Sequence, residues 1–422
     1  MFHRFSRLPV AATLAPLLLA TAAQAESFSA CFARLRDDAG SAGVARASFD
    51  KLTATLSPDL SVIKLLDDQP EFKTPIWDYM AALVDAERVA DGQARMAQWQ
   101  ESLQAAESRY GVDPATVVAV WGVESDFGRS FGKRPLLTSL GTLSCFGRRQ
   151  AYFRGEFFSL LKLIEQGDLR VDGPAGADGL VGSWAGAFGH TQFMPSTYQR
   201  LAVDFDGDGR RDLVGSVPDA LGSTANFLAK AGWKRGQPWG FEVKLPEGFD
   251  AALAGRRNKR PLADWVARGV RTVDGRSLSA KAGEGADAAG VLLPAGVKGP
   301  AFLVFGNFDA IYGYNAAESY ALAIAHLADR LRGGGPLLTA WPTPDPGLSR
   351  AERRELQTLL TARGHAIGEI DGMLGAASRK AIQAEQQRLG LAVDGRAGQK
   401  LLGLLRAAPV SVMPAKAGIQ KD

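Results

Sequence analysis

Residues 113–124 fit only a helix shut inside a larger protein. Asp113 carries the oxygen of an N-cap, and Pro114 suits the first helical position. Val117, Val118, Val120, Trp121 and Val123 then occupy nearly every face, so other elements must surround the helix on all sides. At its far end stands Glu124, followed by Ser125, Asp126, Phe127 and Gly128. The carboxyl emerges from an apolar element at the negative pole of a helix dipole, and both effects favour its protonated form. A neutral carboxyl at ordinary pH is what general-acid catalysis on an acetal oxygen requires. On local sequence alone, a surface Glu at an ordinary helix end fits equally well.

The chain can supply the surrounding mass, since its 422 residues are 46% hydrophobic and 22% charged, a balance that excludes wholesale disorder and suits two or three packed units. Residues 1–25 place His3, Arg4 and Arg7 before an apolar run at 10–20 and end in Ala23, Gln24 and Ala25, the pattern of a secretory signal peptide. Its removal takes away Arg4 and Arg7 and lowers the formal charge from +4 to +2, which leaves no strong field for nucleic acid. No other segment approaches the roughly 18 to 20 apolar residues that cross a bilayer. The expectation is an exported, soluble, periplasmic chain that does not span the membrane and acts as a monomer. A lipid anchor is not expected, because the nearest cysteine, Cys31, follows Phe28, Ser29 and Ala30 and lies far from the apolar run. Cys31 and Cys145 either pair, as an oxidising compartment permits, or stay as two buried thiols.

Residues 31–110 read as helices, with one apolar stripe of Leu60, Ile63, Leu65 and Leu66 and another of Trp77, Met80, Leu83 and Val84. Between 240 and 307, Gly and Pro punctuate short apolar runs at 291–294 and 301–305, which suit a small β-containing insert. Residues 333–347, with Pro at 342, 344 and 346, hold no regular element and read as a linker. Beyond it, 348–405 shows helical patterns and an internal echo, Ile370-Asp371-Gly372 against Val393-Asp394-Gly395, each Asp-Gly pair predicting a tight turn. This segment resembles the three-helix peptidoglycan-binding module appended to many wall-active enzymes. Residues 406–422 read as a disordered tail.

A second constellation, residues 182–198, interleaves small residues with Ser183 and Gln192 and with the flat faces of Trp184, Phe188, Phe193 and Tyr198, a mixture suited to sugar rings and equally to tight helix packing. Residues 121–128, 183–198 and the later Tyr312-Gly313-Tyr314-Asn315 together resemble the membrane-bound lytic murein transglycosylase B family. The resemblance runs from about residue 30 to 331, with the motifs in family order. It implies a mainly α (α+β) fold with a lysozyme-like core, a helical N-terminal module, the β insert and a separate three-helix C-terminal domain. It also implies Glu124 as the single catalytic acid/base, a cleft lined by Ser183 and Gln192 and completed by Tyr314 and Asn315, and Tyr79 as a cleft tyrosine. Asn315 has a second reading: with Glu318 it has the spacing of a capping box opening the helix that continues to about residue 331.

Asp204, Asp206, Asp208, the Arg210 carbonyl and Asp212 fall at positions 1, 3, 5, 7 and 9 of a calcium-type loop with Gly209 at position 6. Position 12 holds Gly215 in place of the usual Glu, and the family resemblance implies closure by Asp219. An ion there would be structural, and the chemistry needs no cofactor. His190 and His326 have no metal-ligand spacing, and Cys145 lacks the context of a nucleophile.

Ordinary glycosidases place two carboxyl groups about 5 to 9.5 Å apart. Asp126, two residues from Glu124, points about 200° away on a helix and is a poor second catalyst. The resemblance implies a route that needs one carboxyl. Glu124 protonates the oxygen leaving N-acetylmuramic acid (MurNAc) in the β-1,4 bond to N-acetylglucosamine (GlcNAc), while the acetamido group of the sugar stabilises the developing cation. The carboxylate then accepts the proton of the 6-hydroxyl as that oxygen attacks C1, leaving a 1,6-anhydromuramoyl end. Two alternatives stay open: a muramidase using water with a second carboxylate such as Glu156 or Asp126, and a non-catalytic protein that binds glycan strands.

Overall fold

The computed structural model describes residues 27–66, 73–171, 179–283 and 288–408. Residues 1–25, read above as a signal peptide, and residues 409–422 lie outside them. The expected tail begins within a helix, since Gln399–Ala407 continues past Arg406.

The helix Pro114–Ser125 is the axis of the largest core. The Asp113 carboxylate accepts the Thr116 N–H at 2.9 Å, and nine of the twelve helical residues are buried. Each fully buried valine contributes about 1.5 to 3 kcal/mol. Its main partner is Glu318–Leu331, whose small residues Ala321, Ala325 and Ala328 let the two backbones approach. Ala86–Gln98, Gln100–Tyr110 and Val217–Lys230 close the remaining sides.

A second core packs Phe28–Asp38 and Arg46–Thr53 against Leu136–Cys145 and Gln150–Glu165. Cys31 and Cys145 are joined here by a disulfide with Cα atoms 5.8 Å apart. Closing a loop of this length stabilises by about 4 to 5 kcal/mol in the chain-entropy description. The stripe expected from Leu60 to Leu66 is only partly inward. Ser61–Leu65 is a single short turn of helix that buries Val62 and Leu66, whereas Leu60, at its N-cap, is 56% exposed.

The β insert is a five-stranded antiparallel sheet in the order Arg260–Pro261, Ala288–Leu292, Ala301–Val304, Gly240–Lys244, Arg271–Thr272. Side-chain alternation explains why its central strand is apolar throughout. Ala301, Leu303 and Phe305 face the insert's own core around Trp265, while Phe302 and Val304 join the core of the catalytic helices.

Residues 333–347 hold no helix or strand, yet they are strapped down. The Leu338 and Thr339 N–H groups donate to the Glu242 carboxylate at 2.8 and 2.7 Å, and Leu337 and Trp341 pack on the main core. The lack of a regular element agrees with the linker expected from composition, and the apolar side chains Leu337 and Trp341 add the anchoring.

Three helices, Arg350–Ala362, Ala376–Arg388 and Gln399–Ala407, form the C-terminal module. Its sequence echo is a repeated hydrogen-bond pattern. Gln357 donates to Asp371 Oδ1 at 3.0 Å and accepts the Gly372 N–H at 2.6 Å, and Gln386 does the same with Asp394 and Gly395 at 2.6 and 2.8 Å. Both glycines have positive φ, 79° and 73°, as these turns require.

Candidate active site

Glu124 lies on the last turn of its helix, half-buried, and borders a cavity of about 650 Å³. Lys73, Tyr79, Val123, Asn315 and Tyr320 of the catalytic domain also line it. Arg353, Arg379, Ile382 and Arg396 line it from the C-terminal module. The Tyr320 hydroxyl donates to Glu124 Oε1. Burial first, then the neighbouring Glu124 charge, push the Tyr320 phenol well above its ordinary range, so it stays protonated. Tyr314 stacks behind it with ring centroids 6.3 Å apart, and its hydroxyl donates to the Thr191 carbonyl at 2.8 Å.

The backbone after Glu124 turns sharply. Asp126 and Phe127 are both left-handed, with φ 49° and 57°. Phe127 drives its ring edge-on against Trp121, and a Cβ at Gly122 would come within 2.6 Å of that ring. Gly128 is needed in the same way, because its φ is 85° and a Cβ would lie 2.3 Å from His190. His190 bolts residues 182–198 to the catalytic helix: its Nδ1 accepts the Trp121 indole N–H at 3.0 Å, and its carbonyl accepts the Ser125 hydroxyl at 2.8 Å. Burial pushes this imidazole down to about 4, so it is neutral. Gln192 and Ala316 are left-handed too, with φ 49° and 48°. Such residues cost about 1 to 3 kcal/mol each and collect where a site is held in one geometry.

The cavity brings together Glu124, Asn315 and Tyr79; Ser183, Gln192 and Tyr314 do not border it. Ser183 Oγ accepts the Ala187 N–H at 3.0 Å and shapes a turn, while the Gln192 amide donates to the Gly189 and Phe131 carbonyls at 2.9 and 3.3 Å. Their segment reaches Glu124 indirectly, through Thr191, Tyr314 and Tyr320. The capping box expected at Asn315 is not formed. Asn315 ends the helix Gly306–Asn315, Ala316 reverses the chain, and the next helix takes Ala317 as its uncapped N-cap.

In the acidic loop, oxygens of Asp204, Asp206 and Asp219 lie within 4.8 Å of one another. Asp219 is fully buried in the first turn of Val217–Lys230, where burial raises its carboxyl above the usual range and the Phe205, Asp206 and Asp212 N–H groups donate to it. Asp208 stands outside the group and accepts the Arg210 N–H at 2.8 Å. Three clustered carboxylates, one of them dehydrated, are the donor chemistry of a hard divalent cation.

Residues 27–329 match the Transglycosylase SLT domain family, and 349–405 match the Putative peptidoglycan binding domain family. The membrane-bound lytic murein transglycosylase B of Escherichia coli is 33% identical over 282 residues, 63% of this chain and 73% of that protein. The chain belongs to the lytic murein transglycosylase B family. Among solved structures, SltB3 from Pseudomonas aeruginosa in complex with NAG-anhNAM-pentapeptide superposes with TM-score 0.70 at 46% identity, covering 90% of this chain and all of that one. The Escherichia coli lytic transglycosylase Slt35 in complex with calcium gives 0.62 at 29% identity, covering 72% and 92%.

In this family member the core is lysozyme-like and mainly helical, as its motifs imply. The two carboxylates weighed as a second catalyst are committed elsewhere. Glu156 is buried and accepts the Ser196 N–H and hydroxyl at 2.9 and 2.7 Å, capping the helix Pro195–Leu201. Asp126 is ion-paired with Arg88, Arg129 and Arg350. Among the described residues, the other acidic side chains that line the cavity, Asp78 and Asp394, are held by Arg396 at 2.7 Å and by Gln386 at 2.6 Å. Sequence reading missed Tyr320, whose signal was its place at the head of the inward stripe Tyr320, Ile324, Leu327, Leu331. The module's wall had no comparable signal, because docking between domains leaves no periodicity.

Proposed function

We propose that this lytic transglycosylase cleaves the MurNAc-GlcNAc β-1,4 bond of peptidoglycan with formation of 1,6-anhydromuramoyl ends, and that Glu124 performs both proton transfers. The observation that carries the reading is the pairing of Glu124 with the buried Tyr320 hydroxyl at the edge of a saccharide-sized cavity whose other carboxylates, among the described residues, hold partners. Glu124 gives its proton to the glycosidic oxygen, the acetamido group of the sugar shields C1, and the resulting carboxylate takes the proton of the 6-hydroxyl as the ring closes. Asn315 and Tyr79 border the same space and orient the glycan. Ser183, Gln192 and Tyr314 hold the catalytic helix and Tyr320 in register. A water-using muramidase requires a second free carboxylate, and Glu156 and Asp126 are both engaged.

Calcium, bound by Asp204, Asp206 and Asp219 with Asp208 and the Arg210 carbonyl drawn in, would neutralise clustered charge and close the loop against its helix. The calcium complex of Slt35 supports this assignment. Export to the periplasm fits the leader-like residues 1–25. Cys31 is engaged with Cys145 and so is not an acceptor for lipid. The C-terminal module holds the enzyme on glycan strands. Sedimentation with purified sacculi tests the division of labour: Glu124→Gln is expected to bind sacculi like the parent and release no soluble fragments. Release by that variant contradicts the role of Glu124, and loss of its binding contradicts the role of the module.

A further inference from the structure

We propose that Arg350, a residue of the C-terminal module, is a positioning residue for Glu124 that acts across the domain boundary through Asp126. The inference rests on the reading of Glu124 as the acid/base and adds a task for the module beyond holding glycan.

Arg350 is the first residue of the helix Arg350–Ala362. A cation is unfavourable there, at the positive pole of the helix's own dipole. Its partners lie in the catalytic domain. One guanidinium nitrogen donates to Asp126 Oδ1 at 2.9 Å and another to Asp91 at 3.1 Å, Nε lies 3.2 Å from Glu87, and the backbone N–H donates to Asp85 at 3.0 Å. The side chain is 11% exposed, so these contacts are shielded from solvent.

Asp126 is the left-handed C-cap of the catalytic helix, two residues after Glu124, and the strained turn it begins needs anchoring on both sides. Phe127 is held by packing. The Asp126 backbone N–H donates to the Trp121 carbonyl, and its carboxylate is held by three guanidinium groups. Arg88 and Arg129 approach it at 3.5 Å, Arg88 also donating to the Gly122 carbonyl that the helix end leaves open, while Arg350 makes the shortest contact. Removing Arg350 loosens the turn that aims the catalytic carboxyl, and small displacements of a reacting group cost rate steeply.

Steady-state kinetics of the full chain on a soluble peptidoglycan tetrasaccharide test this. Arg350→Met is expected to lower kcat about tenfold with KM within about twofold, and Arg350→Lys, which keeps the charge without the fork, to recover part of the loss. Arg354→Met removes a 2.5 Å contact from the same docking helix to Glu87, Arg354 making no direct contact with Asp126, and is expected to stay within about twofold of the parent. Asp126→Asn is expected to mask Arg350→Met, the double variant being no slower than Asp126→Asn alone. An unchanged kcat for Arg350→Met, an equal loss for Arg354→Met, or multiplying effects of the Arg350 and Asp126 changes overturns the proposal. Glu124→Gln, run alongside, separates the two levels: if it is inactive while Arg350→Met matches the parent, only the positioning role falls, and if it is active, the reading of Glu124 falls and the proposal with it.

Discussion

The Tyr320 hydroxyl donates to Oε1 of Glu124 from a helix 196 residues further along the chain. A phenol both donates and accepts, so it can stabilise the carboxylate and, after rotating, accept from the carboxylic acid. That suits a group that must be acid in one half-reaction and base in the next. Tyr320→Phe is expected to lower kcat about tenfold to a hundredfold, the range of a hydrogen bond to a charged partner worth about 1.5 to 3 kcal/mol, with little change in KM. Initial rates of sacculus clearing measure it; a kcat within about twofold of the parent removes Tyr320 from the mechanism.

The acidic loop predicts a metal-dependent stability with no metal-dependent chemistry. Calcium at a hundredfold excess over its Kd is expected to raise stability by about 2.7 kcal/mol, and a chelator to reverse that. Asp219→Ala is expected to erase the response, since it removes the buried carboxylate that closes the loop. Thermal melting with and without calcium reads both, and a parent that melts identically in calcium and chelator contradicts the assignment.

His190 makes stability fall on mild acidification. Its folded-state value, about 4, lies below the ordinary 6.5, so between those values the unfolded chain binds a proton that the native one refuses. The native state is therefore fully favoured above about pH 6.5 and loses up to about 3 kcal/mol as pH falls toward 4. Protonation would also set an N–H against the Trp121 indole N–H that now donates to Nδ1. His190→Asn, which keeps an acceptor at that place, is expected to reduce the slope between about pH 6.5 and 5 in urea titrations, the rest coming from the similarly buried His326. An equal slope in parent and variant refutes this account.

What was legible in the sequence came from local rules. Asp113 and Pro114 opened the catalytic helix, its valines announced burial on every side, and the paired Asp-Gly turns marked the module's repeat. The Asn315 capping box failed because a left-handed residue, Ala316, ends one helix where a cap would have opened the next. Ser183 and Gln192 look like ligands for sugar by chemical type, and part of their hydrogen bonding shapes turns that no spacing rule distinguishes from a cleft wall. Tyr320 heads an inward helical stripe that marks it as buried but not as a partner of Glu124, and Arg350 meets the site only through docking between domains, which residue order does not display.

The most direct test of Glu124 as a lone acid/base is mass spectrometry of the fragments released from purified peptidoglycan by the parent and by Glu124→Gln. The parent is expected to yield muramoyl ends lighter by one water than hydrolytic products, and the variant none. Reducing muramoyl ends from the parent, or anhydro ends from the variant at the parent's rate, contradict the mechanism.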